Sequence, residues 1–167
     1  MRRVMGIDCG SEYTGFGVVE EDAQMRLHCV VGGAIHLATR DSLELKLAKI
    51  YRDLCAVIRE HQPEVVAIED VFYAVNAKSA LKLGHVRGVA MLAVAECGLR
   101  VAAYAPLAVK SAVVGYGKAE KCQVQAMVAR LLNLPAPPEP ADVADALAIA
   151  ICHLHTSGTL TRMGAKA

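Results

Sequence analysis

Val4-Met5-Gly6-Ile7-Asp8-Cys9-Gly10-Ser11, close to the start of the chain, is a short apolar run that delivers one carboxylate and breaks at once on a glycine. Read as a buried strand, it presents Asp8 at the edge of a sheet, where ligands of α/β proteins commonly bind. Read as plain architecture, Asp8 opens an Asx-type turn into a hairpin. The stretch alone supports both. Further acids placed the same way tip the balance toward a ligand site.

Outward from this stretch, Thr14–Val19 and Arg26–Gly33 read as two more strands joined by the polar turn Glu20-Glu21-Asp22-Ala23, an antiparallel meander. From Ser42, a plausible N-cap, the period changes. Leu43, Leu47, Ile50, Leu54, Val57 and Ile58 mark an amphipathic helix ending near His61, before Pro63. Glu64-Val65-Val66-Ala67-Ile68-Glu69 is a strand buried on both faces that again ends in an acid. A helix follows from about Asn76 to Cys97, then a strand from Arg100 to Tyr104 and a helix from about Ala119 to Leu132. After a proline-rich connector, 135–140, the last helix spans about Ala141 to His155. The pattern predicts an α/β domain over 1–155, followed by a flexible tail, 156–167, without apolar periodicity. Its five-stranded mixed sheet has three antiparallel strands, then two parallel ones, with helices on both faces. Helical crossovers make the first, fourth and fifth strands parallel, so their C-terminal ends open on one edge.

The chain has 167 residues, 54% of them hydrophobic, enough for one domain with a full core. No apolar run reaches the ~18 residues of a membrane span, and no signal-like h-region follows Met1-Arg2-Arg3. The six cysteines form no CxxC pair and sit mostly in apolar patterns, as reduced thiols of a cytoplasmic protein do. Net charge is only +1, but it is unevenly spread. Residues 1–75 hold 8 Lys/Arg against 12 Asp/Glu, and residues 76–121 hold 7 against 2. A basic middle beside an acidic first half suits a polyanion surface next to an acidic pocket, although ordinary solvated helix charge gives the same count.

The topology sets Asp8 beside the end of the fourth strand. Glu69 and Asp70 point to opposite faces there, so at most one joins Asp8, and Glu69 is the one expected. Asp142 and Asp145, three apart, share one face of the first turn of the last helix. Both are also well placed as acids at a helix N-terminus. That helix is otherwise almost wholly apolar from Ala141 to Cys152, so it packs on the sheet and holds its acids against it. Four carboxylates in a semi-buried pocket repel one another, and a divalent cation removes the conflict. An all-oxygen donor set suits Mg2+ or Mn2+, and two ions about 4 Å apart form the usual clamp for phosphodiester displacement. His153 and His155, two apart on a helix, diverge and are expected to be surface or packing histidines rather than ligands.

These residues carry a resemblance. Gly6-Ile7-Asp8, Val66-Ala67-Ile68-Glu69, Asn76 to Arg87 (NAKSALKLGHVR) and Ala141-Asp142-Val143-Ala144-Asp145-Ala146-Leu147-Ala148 are similar to the RuvC family of Holliday-junction resolvases, over about Val4 to His155. The resemblance implies an RNase H-like fold, a homodimer, and metal-dependent incision of two opposed strands at four-way junction DNA. It assigns the catalytic and metal-binding roles to Asp8, Glu69, Asp142 and Asp145. A branch-migration complex of the RuvA/RuvB type is the further partner it suggests. Cys9, Glu12 and Asp70 depart from the family's pattern, which bears on metal preference and DNA contacts.

Phe72 and Tyr73 follow Glu69-Asp70-Val71 in a chain with two Phe and no Trp. Either they close over the core or, as the resemblance implies for Phe72, they stack on a junction base, worth ~1–3 kcal/mol. Lys78, Lys82 and Arg87 lie on the second helix and read as a phosphate-contacting rim. Lys110, Lys118 and Lys121 flank Gly115-Tyr116-Gly117, and the resemblance puts Lys110 and Lys121 nearest the scissile phosphate. Ala80, Gly84 and Gly88 recur every four residues as a small-residue ridge. It suits packing on the protein's own sheet or, as the family suggests, on a twin helix across a two-fold axis.

Three other readings compete. One is another nuclease of the same fold, such as an RNA-processing enzyme. A second is a phosphotransferase of the actin or sugar-kinase class, which needs two such domains where 167 residues supply one. The third is a DNA-binding module without catalysis, for which Asp8→Asn would change nothing.

Overall fold

The computed structural model describes residues 1–70 and 76–162; Phe72 and Tyr73 lie outside them. The elements run β1 (Arg2–Cys9), β2 (Tyr13–Glu21), β3 (Leu27–His36), α1 (Leu43–His61), β4 (Val65–Glu69), α2 (Ala77–Glu96), β5 (Val101–Tyr104), α3 (Pro106–Val114), α4 (Lys121–Leu131) and α5 (Ala141–Arg162). Five strands form one sheet in the order β3-β2-β1-β4-β5. β1, β2 and β3 pair antiparallel, while β1–β4 and β4–β5 pair parallel, as the alternation of meander and crossover predicts. The register Ile7↔Ile68 sets Asp8 and Glu69 side by side where β1 and β4 end.

Alternation along the strands splits the core in two. Met5, Ile7, Val18, Val66 and Ile68 face α1 and α2, against Ile50, Leu54, Val86 and Ala90. Val4, Val19 and Ala67 face the other way, against α3, α4 and α5. Asp8 and Glu69 share this second face, so α5 decides what stands over them.

Two glycines let α5 come down onto the sheet. A Cβ at Gly6 would overlap the Ala146 carbonyl oxygen, and one at Gly15 the Asp142 carbonyl oxygen. Any side chain at either position would lift the start of α5, and with it Asp142 and Asp145, off β1 and β2.

Three local features differ from expectation. α3 escapes the apolar periodicity, because only Val109 and Val113 of its nine residues are buried. Its punctuation is legible all the same: Pro106 stands in the first turn, and Gly115, at φ 95°, closes the C-terminus. Ser42 sits at the N-cap of α1, but its hydroxyl donates to Glu44 Oε1 at 2.5 Å instead of accepting a backbone N–H. α5, expected to end at His155 before a flexible tail, runs on to Arg162. Polar contacts replace the lost apolar stripe. Ser157 is buried, its hydroxyl donates to the His153 carbonyl at 2.7 Å, and Arg2 Nη1 donates to Ser157 Oγ at 3.1 Å.

All six cysteines are free thiols, and Cys9, Cys55 and Cys152 are buried. Among the described residues, no helix is long and apolar enough to cross a membrane.

Candidate active site

At the edge where β1 and β4 end lies a cavity of about 240 Å³ lined by Asp8, Glu69, Asp145, Lys110 and Lys121, with Pro106 and Val109 on its wall. Four elements besides β1 meet here. β4 supplies Glu69, α3 Lys110, α4 Lys121 and α5 Asp145, so acids from the two ends of the chain share one hole.

Burial pushes the Asp8 carboxyl up to about 7, helped by the negative charges of Asp145, Glu69 and Asp142 and opposed by the Lys121 ammonium. Burial raises the Glu69 carboxyl too, with Asp145 adding to the rise and Lys110 and Lys121 opposing it. Lys121 Nζ sits 2.6 Å from Asp145 Oδ2, and that bond holds the ammonium above its ordinary range. Asp142 does not line the cavity. It lies over the turn after β1, with Oδ1 3.6 Å from where a Cβ of Gly10 would stand, close enough to act on Asp8 through its charge.

The donor set therefore fits a divalent cation in kind: carboxylate oxygens only, carrying more negative charge than the lysines neutralise. Its side chains stand apart, as mutually repelling carboxylates do. Among the described residues, no three His, Cys, Asp or Glu side chains are gathered tightly enough to hold one ion as they stand. Asp145 is instead engaged by Lys121.

Of the expected DNA-contacting residues, Lys78 and Lys118 are exposed, and Lys110 and Lys121 turn into the acidic cavity. Lys82 lines a separate cleft of about 320 Å³ on the α1–α2 side, together with Lys46, Ser11 and Glu12. Glu12 thus lines the same cleft as two lysines. Arg87 departs from the expectation of a phosphate rim. Its guanidinium is turned inward onto Asp70, at 2.5 Å, and the Arg87 side chain is only 24% exposed. Ala80, Gly84 and Gly88 stay exposed, and among the described residues a Cβ on either glycine would meet nothing within 4 Å, so this ridge does not pack on the protein's own sheet. Neither histidine ligates: His153, half-buried, bonds to Tyr104 Oη at 2.8 Å, and His155, exposed, bonds to the Ala112 carbonyl at 3.0 Å.

The sequence reading missed the α3 wall and the Asp70–Arg87 pair. Proline at a helix start followed by apolar residues four apart was the available sign for the wall. Nothing local announces the pair, whose partners are 17 residues apart.

Comparison with known proteins places the whole chain in one family. The sequence profile of the family "Crossover junction endodeoxyribonuclease RuvC" matches residues 4–153. A protein of that name from Koribacter versatilis (strain Ellin345) is 87% identical over 165 residues, covering 99% of both chains. Another from Acidobacterium capsulatum is 57% identical, covering 95% of this chain and 96% of its own. Among solved structures, Thermus thermophilus RuvC in complex with Holliday junction substrate superposes with a TM-score of 0.85 at 31% identity, over 97% of this chain and 96% of that one. The fold is accordingly the RNase H-like one, and the family implies dependence on a divalent metal ion in general. The chain belongs to the RuvC family of crossover junction endodeoxyribonucleases.

Proposed function

We infer that this protein resolves four-way DNA junctions by hydrolysing phosphodiester bonds in opposed strands, with Asp8, Glu69, Asp142 and Asp145 as its catalytic acids. The observation that carries the reading is the meeting of acids from β1, β4 and α5 at one sheet edge, two lysines beside them. Divalent cations, Mg2+ or Mn2+ and two per site, would be held by these carboxylates and would supply an activated water and charge neutralisation at the leaving 3′-oxygen. Asp8 and Glu69, at adjacent strand ends, take the central positions, and Asp145 and Asp142 close the site from above. Lys110 and Lys121 draw the scissile phosphate into the cavity. Asp145 would help hold a cation, and Lys121, now bonded to it, is placed to bind the phosphate. Lys78 and Lys118 track the backbone further out. Six free thiols suit work in a reducing cytoplasm.

A four-way junction has two strands to cut, and a homodimer brings two such sites to it. The open ridge of Ala80, Gly84 and Gly88 supports α2 as the helix that meets its twin.

The test offers a synthetic four-way junction and a linear duplex of the same sequence, each with and without Mg2+ or Mn2+. Metal-dependent cutting of the junction alone is expected, and Asp8→Asn should abolish it while junction binding persists. A wild-type protein that leaves the junction whole with either ion, or an Asp8→Asn variant that still cuts, sinks the reading.

A further inference from the structure

β4 ends at Glu69, and a second acid, Asp70, follows it directly and faces the other way. Glu69 lines the cavity, and Asp70 turns to the α2 side, where Arg87 Nη2 donates to Asp70 Oδ1 at 2.5 Å. The Asp70 backbone N–H donates to the Tyr104 carbonyl at 2.8 Å. Asp70 is thus pinned twice, through its backbone to β5 and through its carboxylate to α2. The guanidinium has little else to do. Its Nη1 reaches Met91 Sδ at 3.5 Å, and its Nε is buried with no hydrogen-bond partner among the described residues. A buried donor left unmet is costly, so the ion pair to Asp70 is what holds this side chain inward. Cys9, one residue after Asp8, is buried, and its thiol is pushed up by burial first and by the charge of Asp8, with Arg87 opposing.

We propose that Arg87 is a positioning residue of the nuclease: by clamping Asp70 it fixes the end of β4 so that Glu69 projects beside Asp8. Adjacent side chains of a strand point to opposite faces, so a strand end free to rotate Asp70 must swing Glu69 the other way. A carboxylate meant to hold a cation needs its orientation set in advance, and loss of such support typically costs 10–100-fold in metal affinity or activity. The inference rests on the reading that Asp8 and Glu69 share a divalent cation.

The experiment measures Mn2+ binding to the DNA-free protein by electron paramagnetic resonance, together with kcat and KM on a four-way junction. Arg87→Gln and Asp70→Ala should each weaken Mn2+ binding by about 10–100-fold and lower kcat comparably, with junction KM little changed. Asp70→Asn keeps an acceptor oxygen for the guanidinium and should retain most of both. Asp70 is partly exposed, so its variants remain informative if Arg87→Gln fails to fold. Unchanged Mn2+ binding in Asp70→Ala overturns the proposal. So does a raised KM with normal Mn2+ binding in Arg87→Gln, which would make Arg87 a DNA contact. Wild-type protein that binds Mn2+ but leaves junctions uncut would overturn the function instead, and the Mn2+ arm would still judge the clamp.

Discussion

Asp8 shows most directly what the site costs the fold. Its carboxyl is raised to about 7, from an ordinary value near 4 in the unfolded chain. Between these values the folded state keeps a proton that the unfolded state releases. Stability therefore falls as pH rises through this window, and the loss is complete above about 7. Asp8→Asn removes the penalty. In the presence of chelator the variant should melt higher than wild type at pH 8, by on the order of 4 kcal/mol or roughly 8–16 °C, and should show no such gain near pH 4. Equal differences at the two pH values in a thermal melt would contradict this origin. Lys121 acts in the opposite sense, because its ammonium offsets carboxylate charge that a cation would otherwise meet. Lys121→Met should therefore bind Mn2+ roughly 3–10-fold more tightly without DNA, while cleaving junctions more slowly. Calorimetric titration and single-turnover cleavage read the two effects separately; weaker Mn2+ binding would refute the assigned role.

Among the elements, α5 carries the architecture of the site, and its fit depends on residues that lack a side chain. Gly6→Ala drives a methyl group into the Ala146 carbonyl, backbone that cannot step aside. A cost at the upper end of the ~1–3 kcal/mol seen for overpacked cores is expected, with Tm lowered by about 5–10 °C. Gly15→Ala meets the Asp142 backbone itself, so its effect should show in metal binding as well as in melting. A Gly6→Ala protein that melts like wild type would mean that α5 is not pressed on β1 as described. α3 illustrates a different limit of local reading. With few buried residues it has no amphipathic signal, yet it brings Lys110 to the cavity and Val109 to its wall.

For the whole molecule, the decisive surface is the open side of α2. Gly84 and Gly88 cost a helix about 1 kcal/mol each relative to alanine, and no neighbour among the described residues requires them. A double Gly84→Ala, Gly88→Ala variant should therefore stabilise the monomer by up to about 2 kcal/mol while weakening self-association. Gly84→Arg should leave a folded monomer that nicks one strand rather than cutting two in concert. Sedimentation measurements across a concentration series check both, and a Gly84→Arg protein that still sediments as a dimer excludes this helix as the interface.

The mixed sheet of three antiparallel and two parallel strands, with helices on both faces, was legible in the sequence because it rests on local rules: period two, period 3.6, and an acid or a glycine where an apolar run stops. The RuvC resemblance added roles for the four acids and matched the family to which the chain belongs. Only the tertiary structure decided which way each charged side chain turns. Arg87 reads as one more exposed helix cation, yet Asp70 across the sheet edge draws it inward. The resemblance sets Lys121 near the scissile phosphate, but that its ammonium pairs with Asp145 is seen only in the fold. The tail past His155 has no periodicity of its own, and Arg2 at the far end of the chain contacts it as helix. Such pairings depend on charges brought together by folding from distant parts of the chain, and no window of sequence contains both partners.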